Sequence, residues 1–314
     1  MTAPAASSTA RHTRRRVPPS ARGHTVAAIV LLTPALLGFL VFWISPAIRG
    51  FGYSVTDYNL LNQGRYVGAE NFRNVIGDEQ VWESMRITVV FAAGSVIITL
   101  GLAMLLAALM QRLRARTWVR AGLLLPWLVP NVAIALIWAW LLDANVGYLK
   151  GVLDRIGTAL QLDLLINFTF FNSDAALNII ILIGVWSGVG YTALLLFAGM
   201  MQVPVEYYEA GAIDGATETT MFFRITLPLI RPVIALVVVV SLIGSFQVFD
   251  LVQVGYGNKP IPEVRVIYYH IYQQAFDFLK MGHASAIALL LAIVLAVLTL
   301  LQLRLLRANR SDLA

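Results

Sequence analysis

The feature that most constrains this chain is a set of six long stretches that contain no Asp, Glu, Lys or Arg. They cover residues 26–48, 87–110, 121–142, 175–201, 233–249 and 284–303. Each is in or near the range of about 17 to 25 residues that a helix needs to cross the hydrocarbon core. Charged residues make up only 13% of the 314 residues, against about 25% in a soluble domain. The pattern predicts an all-α integral membrane protein with six transmembrane helices.

The distribution of basic residues predicts the orientation of these helices. With the N-terminus inside, 14 of the 23 basic residues but only 5 of the 17 acidic residues lie in the cytoplasmic segments, as the positive-inside rule requires. Both termini are then cytoplasmic, and so is the loop 204–232 between helices 4 and 5. Residues 1–25 are predicted to be a disordered basic tail, 26–303 the transmembrane domain and 304–314 a second cytoplasmic tail. The net charge of +6 is assigned to arginines that contact lipid, not to nucleic-acid binding.

The loop 204–232 is itself predicted to be structured. Its first part can form two helical turns from Val205, and acidic side chains near that helix N-terminus are favourable. Asp214-Gly215 is a turn signal, and a second helix over 217–225 that runs on to Leu227-Pro228 is expected to be interrupted by Pro228 and Pro232 before the next span. The result is a compact cytoplasmic helix-turn-helix. It either docks a partner or rests on the membrane as an interfacial helix pair.

The spacing in this loop resembles a known family. Glu209-Ala210-Gly211 is followed after three residues by Gly215, and after nine more by Ile225-x-Leu227-Pro228. This resembles the EAA loop, the cytoplasmic coupling loop of bacterial ABC importer permeases. Other stretches resemble the carbohydrate-uptake branch of the maltose-transporter type: Asn71-Phe72, Leu125-Pro126-Trp127, Phe249-Asp250, residues 272–276 and residues 281–286. In the last of these, His283 stands where Tyr is more usual.

The resemblance implies a role for the loop and a set of partners. Its first helix would dock in a cleft of a cytoplasmic ATPase and transmit closure of that ATPase to the membrane domain. The expected coupling residues are Glu206, Tyr208, Glu209, Ala210, Gly211, Asp214, Gly215, Ile225, Leu227 and Pro228. The implied partners are a second homologous permease subunit, two copies of the ATPase and an extracytoplasmic solute-binding protein. The implied location is the bacterial cytoplasmic membrane, and oligosaccharides, amino sugars and polyol phosphates all remain open as solutes.

Two features that the sequence lacks argue against some classes of transporter. No lysine is followed by Ser or Thr, so the chain has no phosphate-binding loop, and ATP with Mg²⁺ is expected on a separate ATPase subunit. No carboxylate, histidine or basic side chain lies within the six stretches, which disfavours proton- or sodium-coupled transport. The acids and the four histidines are dispersed, so neither a catalytic group nor a metal site is predicted. The alternatives are a membrane scaffold that docks a partner through the loop and a passive channel.

Polar residues within the apolar stretches predict a path for the solute. Ser241 and Ser245 stand four residues apart in the fifth stretch, and Ser187 and Tyr191 repeat that spacing in the fourth. Such groups usually face protein or a water-filled cavity inside a bilayer, and a sugar needs hydroxyl partners and an aromatic face. The predicted path residues are Asn131, Trp186, Ser187, Tyr191, Ser241, Ser245, Gln247 and Asp250. The alternative for each serine is helix–helix packing.

Overall fold

The computed structural model of the chain describes residues 21–61, 63–166, 168, 173–257 and 261–307. These residues are mostly helical, and their only β-structure is one antiparallel bridge between Thr56 and Tyr66. In chain order the α-helices are α1 (Ala21–Phe39), α2 (Ser45–Ser54), α3 (Glu70–Gly77), α4 (Glu79–Arg112), α5 (Thr117–Leu128), α6 (Asn131–Leu141), α7 (Tyr148–Leu160), α8 (Asp163–Ile166), α9 (Ser173–Met200), α10 (Val205–Ile213), α11 (Glu218–Met221), α12 (Leu227–Leu229), α13 (Arg231–Phe246), α14 (Asp250–Gly255), α15 (Ile267–Tyr272) and α16 (Met281–Arg307).

Three short π-helical turns and one 3₁₀ turn join some of these helices. The π turns are Leu40–Ile44, Phe222–Thr226 and Gln273–Asp277, and the 3₁₀ turn is Pro262–Val264. Five helical segments of the described chain are long and apolar enough to cross a membrane, or six if a bent pair counts as one span. The prediction of a helical membrane protein is therefore confirmed, while the six-span count depends on that bent pair.

Helix ends differ from the predicted segment ends. The first helix begins at Ala21, so the last five residues of the predicted tail 1–25 are helical, and residues 1–20 lie outside the described part. The last helix continues to Arg307, past the predicted boundary at 303, and residues 308–314 are likewise outside the description. The reason is physical: a charged residue marks where a helix leaves the hydrocarbon, but the helix itself continues into water as long as its backbone bonds are satisfied.

The chain divides into two compact units, one ending at Gly50 and one beginning at Phe51. In the first unit, α1, the π turn and the start of α2 form one continuous helical rod. None of the residues in the most apolar part of the span Ile29–Ser54 is buried. In the second unit, α9 is the central helix, with half of its most apolar stretch buried. The helices α4, α5 and α13 pack against it, α15 packs against α4, and α16 packs against α13.

Within the second unit, α4 and α9 run parallel. Ile87 and Phe91, in the first half of α4, pack with Ile180 and Ile183 in the first half of α9. The last turns of α4 pack with the last turns of α9 in a separate cluster. Because α9 begins beside the start of α4, the chain between Arg112 and Ser173 must return along the full length of α4.

The third predicted span, 121–142, is not one straight helix. It consists of α5 and α6, which meet at an angle of 88°. The break lies at Val129-Pro130, where both residues have extended backbone conformations. Proline has no N–H to continue the helical ladder and disfavours the α conformation of the residue before it. The apolar composition of 121–142 correctly indicated helical segments apolar enough to lie in a membrane, but the prediction of one continuous helix was wrong.

Candidate functional site

The loop between α9 and α13 contains two helical segments joined by a tight turn. Its first segment, α10, ends at Ile213, and Gly215 then adopts a positive φ of 75°. Glycine takes that conformation more readily than residues with a Cβ. The N–H of Ala216 donates to the carbonyl of Gly211 at 2.9 Å, which closes the C-terminus of α10. The turn predicted at Asp214-Gly215 is present in the structure.

The second segment of the loop runs from α11 through a π turn into α12. It begins at Thr217, whose side-chain oxygen accepts a hydrogen bond from the N–H of Thr220 at 3.2 Å. Pro228 does not interrupt this segment as expected. The helical path continues to Leu229, and the break lies at Ile230. The π turn Phe222–Thr226 precedes the proline and shifts the hydrogen-bond register by one residue, so that the missing N–H of Pro228 leaves the helix intact.

The two segments pack directly against each other. The hydroxyl of Tyr208 on α10 and the hydroxyl of Thr226 are hydrogen-bonded at 2.8 Å, and Thr226 is buried. A Cβ added to Gly211 would lie 3.1 Å from the Cδ1 of Ile225. Glycine at this position therefore lets the two segments approach closely. Of the predicted coupling residues, Tyr208, Gly211 and Ile225 hold the loop together.

The opposite face of α10 is exposed. Glu206, Glu209 and Ala210 are open to solvent. At the end of the same helix, Ile213 is 87% exposed, the highest value among the large apolar side chains of the described residues. Carboxylates beside an exposed isoleucine on a rigid helix form a surface that suits a protein partner with an apolar cleft and basic residues.

The loop is joined to α13 through a single residue. Ile230 is buried, and its N–H donates to the carbonyl of Thr226 at 3.0 Å. Its own carbonyl accepts from the N–H groups of Val233 and Ile234 in the first turn of α13. Val233 in turn packs against Gly199 near the end of α9, where an added Cβ would lie 3.0 Å away. Because these contacts are close, a displacement of the loop would also displace α9 and α13.

A cavity of about 350 Å³ lies among α4, α5, α6, α9, α13 and the start of α14. This volume is in the range of sites that hold small molecules. Seven of the eight predicted path residues line it: Asn131, Ser187, Tyr191, Ser241, Ser245, Gln247 and Asp250. Residues from three separate predicted spans thus meet at one place. Their role in contacting a solute stays a prediction.

An aromatic pair forms one side of the cavity. The rings of Trp127 and Tyr191 are stacked, with centroids 4.4 Å apart and an angle of 8° between their planes. Trp127 was not among the predicted path residues. Its position follows from the bend at Val129-Pro130, which no local sequence pattern reveals. The only available signal was an aromatic residue directly after Pro126 inside an apolar stretch.

Trp186 is the predicted path residue that the structure places outside the cavity. Its ring packs edge-on against Trp138, with centroids 5.5 Å apart. A neighbouring residue on a helix points about 100° away, so Trp186 and Ser187 cannot share one face. Trp186 therefore does not line this cavity, and a contact of its ring with the solute stays a prediction.

The serines of the cavity have a common hydrogen-bond geometry. Ser245 Oγ donates to the carbonyl of Ser241 at 2.8 Å, and Ser187 Oγ donates to the carbonyl of Gly184 at 3.0 Å. Ser95 Oγ on α4 donates to the carbonyl of Phe91 at 2.7 Å. It also lies 3.3 Å from Ser245 Oγ. Either hydroxyl can be the donor in this contact between α4 and α13.

Comparison with protein families gives one match that covers most of the chain. The model of the family described as binding-protein-dependent transport system inner membrane component matches residues 80–311. The matched range includes the loop, the bent helix pair and all lining residues of the cavity.

Several curated relatives resemble the chain over most of its length. The sulfoquinovosyl glycerol transport system permease protein SmoG of Agrobacterium fabrum is 30% identical over 295 residues, covering 91% of this chain and 92% of that protein. The probable ABC transporter permease protein YesP of Bacillus subtilis is 29% identical over 288 residues, covering 90% and 91%. The sn-glycerol-3-phosphate transport system permease protein UgpA of Yersinia pseudotuberculosis is 29% identical over 278 residues, covering 88% and 92%.

Among solved structures, the fold is similar to a chain of a bacterial ABC transporter involved in the import of the acidic polysaccharide alginate. The TM-score is 0.77 at 22% sequence identity, and the alignment covers 92% of this chain and 98% of that chain. At this level of identity the likeness concerns the fold alone.

Proposed function

This chain belongs to the family of inner membrane components of binding-protein-dependent transport systems, and from that premise we propose that it forms part of the membrane pathway of an ATP-driven sugar importer. It is a multi-pass protein of the bacterial inner membrane and a non-catalytic subunit. A sugar as solute is proposed by analogy with SmoG, whose name specifies a glycoside of glycerol.

We propose six membrane crossings with both termini in the cytoplasm. The parallel packing of α4 and α9 supports this topology. A chain that leaves α4 at one side and enters α9 at the other has to cross the bilayer in between, and α5 and α6 are the apolar segments available. The bent pair is then a broken span. Broken spans are tolerated where the freed backbone groups face protein or a water-filled cavity.

The loop 204–232 is proposed to be the contact with a separate ATPase. The observation that carries this proposal is the direct connection from the exposed face of α10, through Ile230, to the cavity-lining helix α13. Closure of an ATPase dimer would move α10, and the movement would reach Ser241 and Ser245 on α13. Two copies of the ATPase would bind ATP and Mg²⁺. A second permease subunit would complete the pathway, and an extracytoplasmic binding protein would deliver the solute.

The first test is the composition of the complex. The tagged chain would be purified from its native membranes in mild detergent, and mass spectrometry would identify the proteins that accompany it. We expect an ATPase, a second permease and a solute-binding protein. Recovery of the folded, monodisperse chain alone would instead favour a scaffold or a channel.

The second test separates coupling from folding. Glu209→Lys reverses a charge on the exposed face of α10, and Gly215→Pro requires a negative φ where the structure has 75°. Both variants are expected to insert in the membrane but to lose uptake while the ATPase still hydrolyses ATP. The matched controls are Glu263→Lys, an exposed acid beyond the loop, and Gly215→Asn, since Asn tolerates positive φ. Coupled uptake by both test variants at the level of the controls would refute the role of the loop.

A further inference from the structure

The turn between α4 and α5 carries a cluster of arginines. Four of them stand within nine residues: Arg112, Arg114, Arg116 and Arg120. Arg112 forms an ion pair with Glu218 of the loop at 3.3 Å. The other three form no ion pair within the described part of the chain. Three guanidinium groups of like charge therefore stand close together in the chain without a carboxylate partner.

Arg120 is the member of this cluster whose charge is least hydrated. It is half-buried, and its guanidinium carbon lies 4.4 Å from the centre of the Phe197 ring on α9. Its Nε is buried and has no hydrogen-bond partner among the residues that the structure describes. A partly desolvated charge without an opposite charge costs free energy. An anion beside Arg120 would reduce that cost, and Arg116, one helical turn earlier, lies close enough to contact the same anion.

Exposed apolar side chains lead up to the arginine cluster along both helices. The exposed leucines on one face of α4 end in the turn itself: Leu102, Leu105, Leu109 and Leu113. Within the turn, Leu113 is 72% exposed and Trp118 is 71% exposed. On α5, Leu125 lies on the same face as Trp118 and is also exposed. A tryptophan beside arginines at the end of an apolar surface is typical of the level of the lipid headgroups.

The two kinds of exposed group favour a lipid over a protein carboxylate or free phosphate as the occupant. Either of the latter would pair with the arginines but would leave Leu113 and Trp118 in water. A phospholipid supplies both parts, because its acyl chains can lie along the leucine face of α4 while its phosphate contacts the arginines. The ion pair between Arg112 and Glu218 places the turn beside the loop 204–232. That side is cytoplasmic in the proposed topology, and the cytoplasmic leaflet carries anionic lipid.

We infer that residues 112–120 form a binding site for the phosphate headgroup of an anionic phospholipid. Arg114, Arg116 and Arg120 supply the positive charge, and Leu113 and Trp118 are the apolar anchors. The site goes beyond the proposed function, since it depends neither on the solute nor on ATP. Only the choice of leaflet rests on the proposed topology.

Native mass spectrometry of the purified complex tests this site. The tagged chain and the proteins that accompany it are mixed in detergent with phosphatidylglycerol, or with phosphatidylcholine of the same acyl chains. We expect the wild type to bind phosphatidylglycerol with an apparent Kd lower by about ten-fold or more. The double variant Arg114→Gln, Arg116→Gln should reduce this preference by about five-fold or more, because arginines near the headgroups attract anionic lipid. Both side chains are exposed, so their replacement should not prevent folding.

Matched variants and a soluble anion serve as controls. Arg73→Gln, Arg155→Gln removes two exposed arginines from α3 and α7 and should leave the lipid preference unchanged. Leu113→Ser, Trp118→Ser should weaken binding of both lipids alike, because it removes the apolar anchors and keeps the charge. Inorganic phosphate in excess should not displace phosphatidylglycerol, since it has no acyl chains to contact the leucines.

Four results would overturn the inference. The first is a wild-type lipid preference in Arg114→Gln, Arg116→Gln, and the second is an equal loss of preference in the control pair. The third is displacement of phosphatidylglycerol by inorganic phosphate, which would assign the turn to a free anion. The fourth is loss of an accompanying protein from the double variant with its lipid preference intact, which would assign the turn to a protein contact. Uptake by the same complex is a separate readout, because import without a lipid preference removes only this site.

Discussion

Gly190 is the position where one added methyl group should most destabilise the fold and distort the cavity. It lies on α9 where that helix crosses α5, and an added Cβ would come within 1.8 Å of the backbone oxygen of Leu123. Contacts of this kind under 3.0 Å are essentially never seen, so Gly190→Ala requires a separation of about 1.2 Å between the two helices. The obstacle is a backbone atom, which cannot rotate away as a side chain does.

The energetic effect can be estimated from three contributions. Overpacking of a tight contact costs about 1–3 kcal/mol. Separation of α5 from α9 also pulls Trp127 from Tyr191, and an aromatic stack contributes about 0.5–1.5 kcal/mol. Alanine regains about 0.5–1 kcal/mol as the better helix former. The expected net destabilisation is therefore about 0.5–4 kcal/mol, with a distorted aromatic side of the cavity.

The assay is thermal unfolding of the purified complex in detergent, followed by size-exclusion chromatography of the tagged chain. The matched control is Gly188→Ala on the same helix, where an added Cβ meets nothing within 4 Å. The control should melt at or slightly above the wild-type temperature, and Gly190→Ala clearly below it. Equal melting temperatures for the two variants would show that α5 and α9 do not make this contact, and the geometry of the cavity would have to be revised.

Three further variants test single interactions. Tyr208→Phe removes a hydrogen bond to the buried Thr226; we expect a loss of about 1 kcal/mol by thermal unfolding and fewer molecules imported per ATP hydrolysed. Arg112→Ala breaks an ion pair with Glu218 that is about 70% exposed at each end, so the melting temperature should stay within error because such pairs contribute about 0–1 kcal/mol. Burial lowers the pKa of His270 from 6.5 to about 4. The fold therefore favours the neutral ring, its contribution is complete above pH 6.5, and about 2 kcal/mol is lost by pH 5; His270→Gln should flatten the decline in melting temperature between pH 7.5 and pH 5.

The sequence contains enough information to predict the main helices but not their ends or bends. Long charge-free stretches predict spans because burial of a charge in hydrocarbon is costly. The same criterion cannot find Ala21 or Arg307 as helix ends, since charged residues are compatible with a helix in water. It also cannot give the 88° angle between α5 and α6. A proline indicates a break, but the direction of the chain after it depends on the packing of α5 against α9 and of α6 against α14.

The site was predictable where polar residues interrupt apolar helices at a fixed spacing. Serines four residues apart must share one helix face, and the cost of facing lipid leaves the protein interior as their place. Which helices meet at that interior is a tertiary property. Trp127 was therefore missed, although it stacks on the predicted Tyr191. Trp186 was included only because of its neighbour in the chain, while its ring lies against Trp138.

The loop and the cavity are connected by one rigid helical segment. Ile230 is the only break between the helical path from Glu218 to Leu229 and the whole of α13, and it is buried and hydrogen-bonded on both sides. A flexible joint here would absorb any movement of α10 before it reached Ser241 or Ser245. The close contact between Val233 on α13 and Gly199 on α9 would also transmit the movement to α9. This helix carries Ser187 and Tyr191 on the opposite wall of the cavity. A force applied at the exposed face of α10 would therefore act on both walls of the cavity.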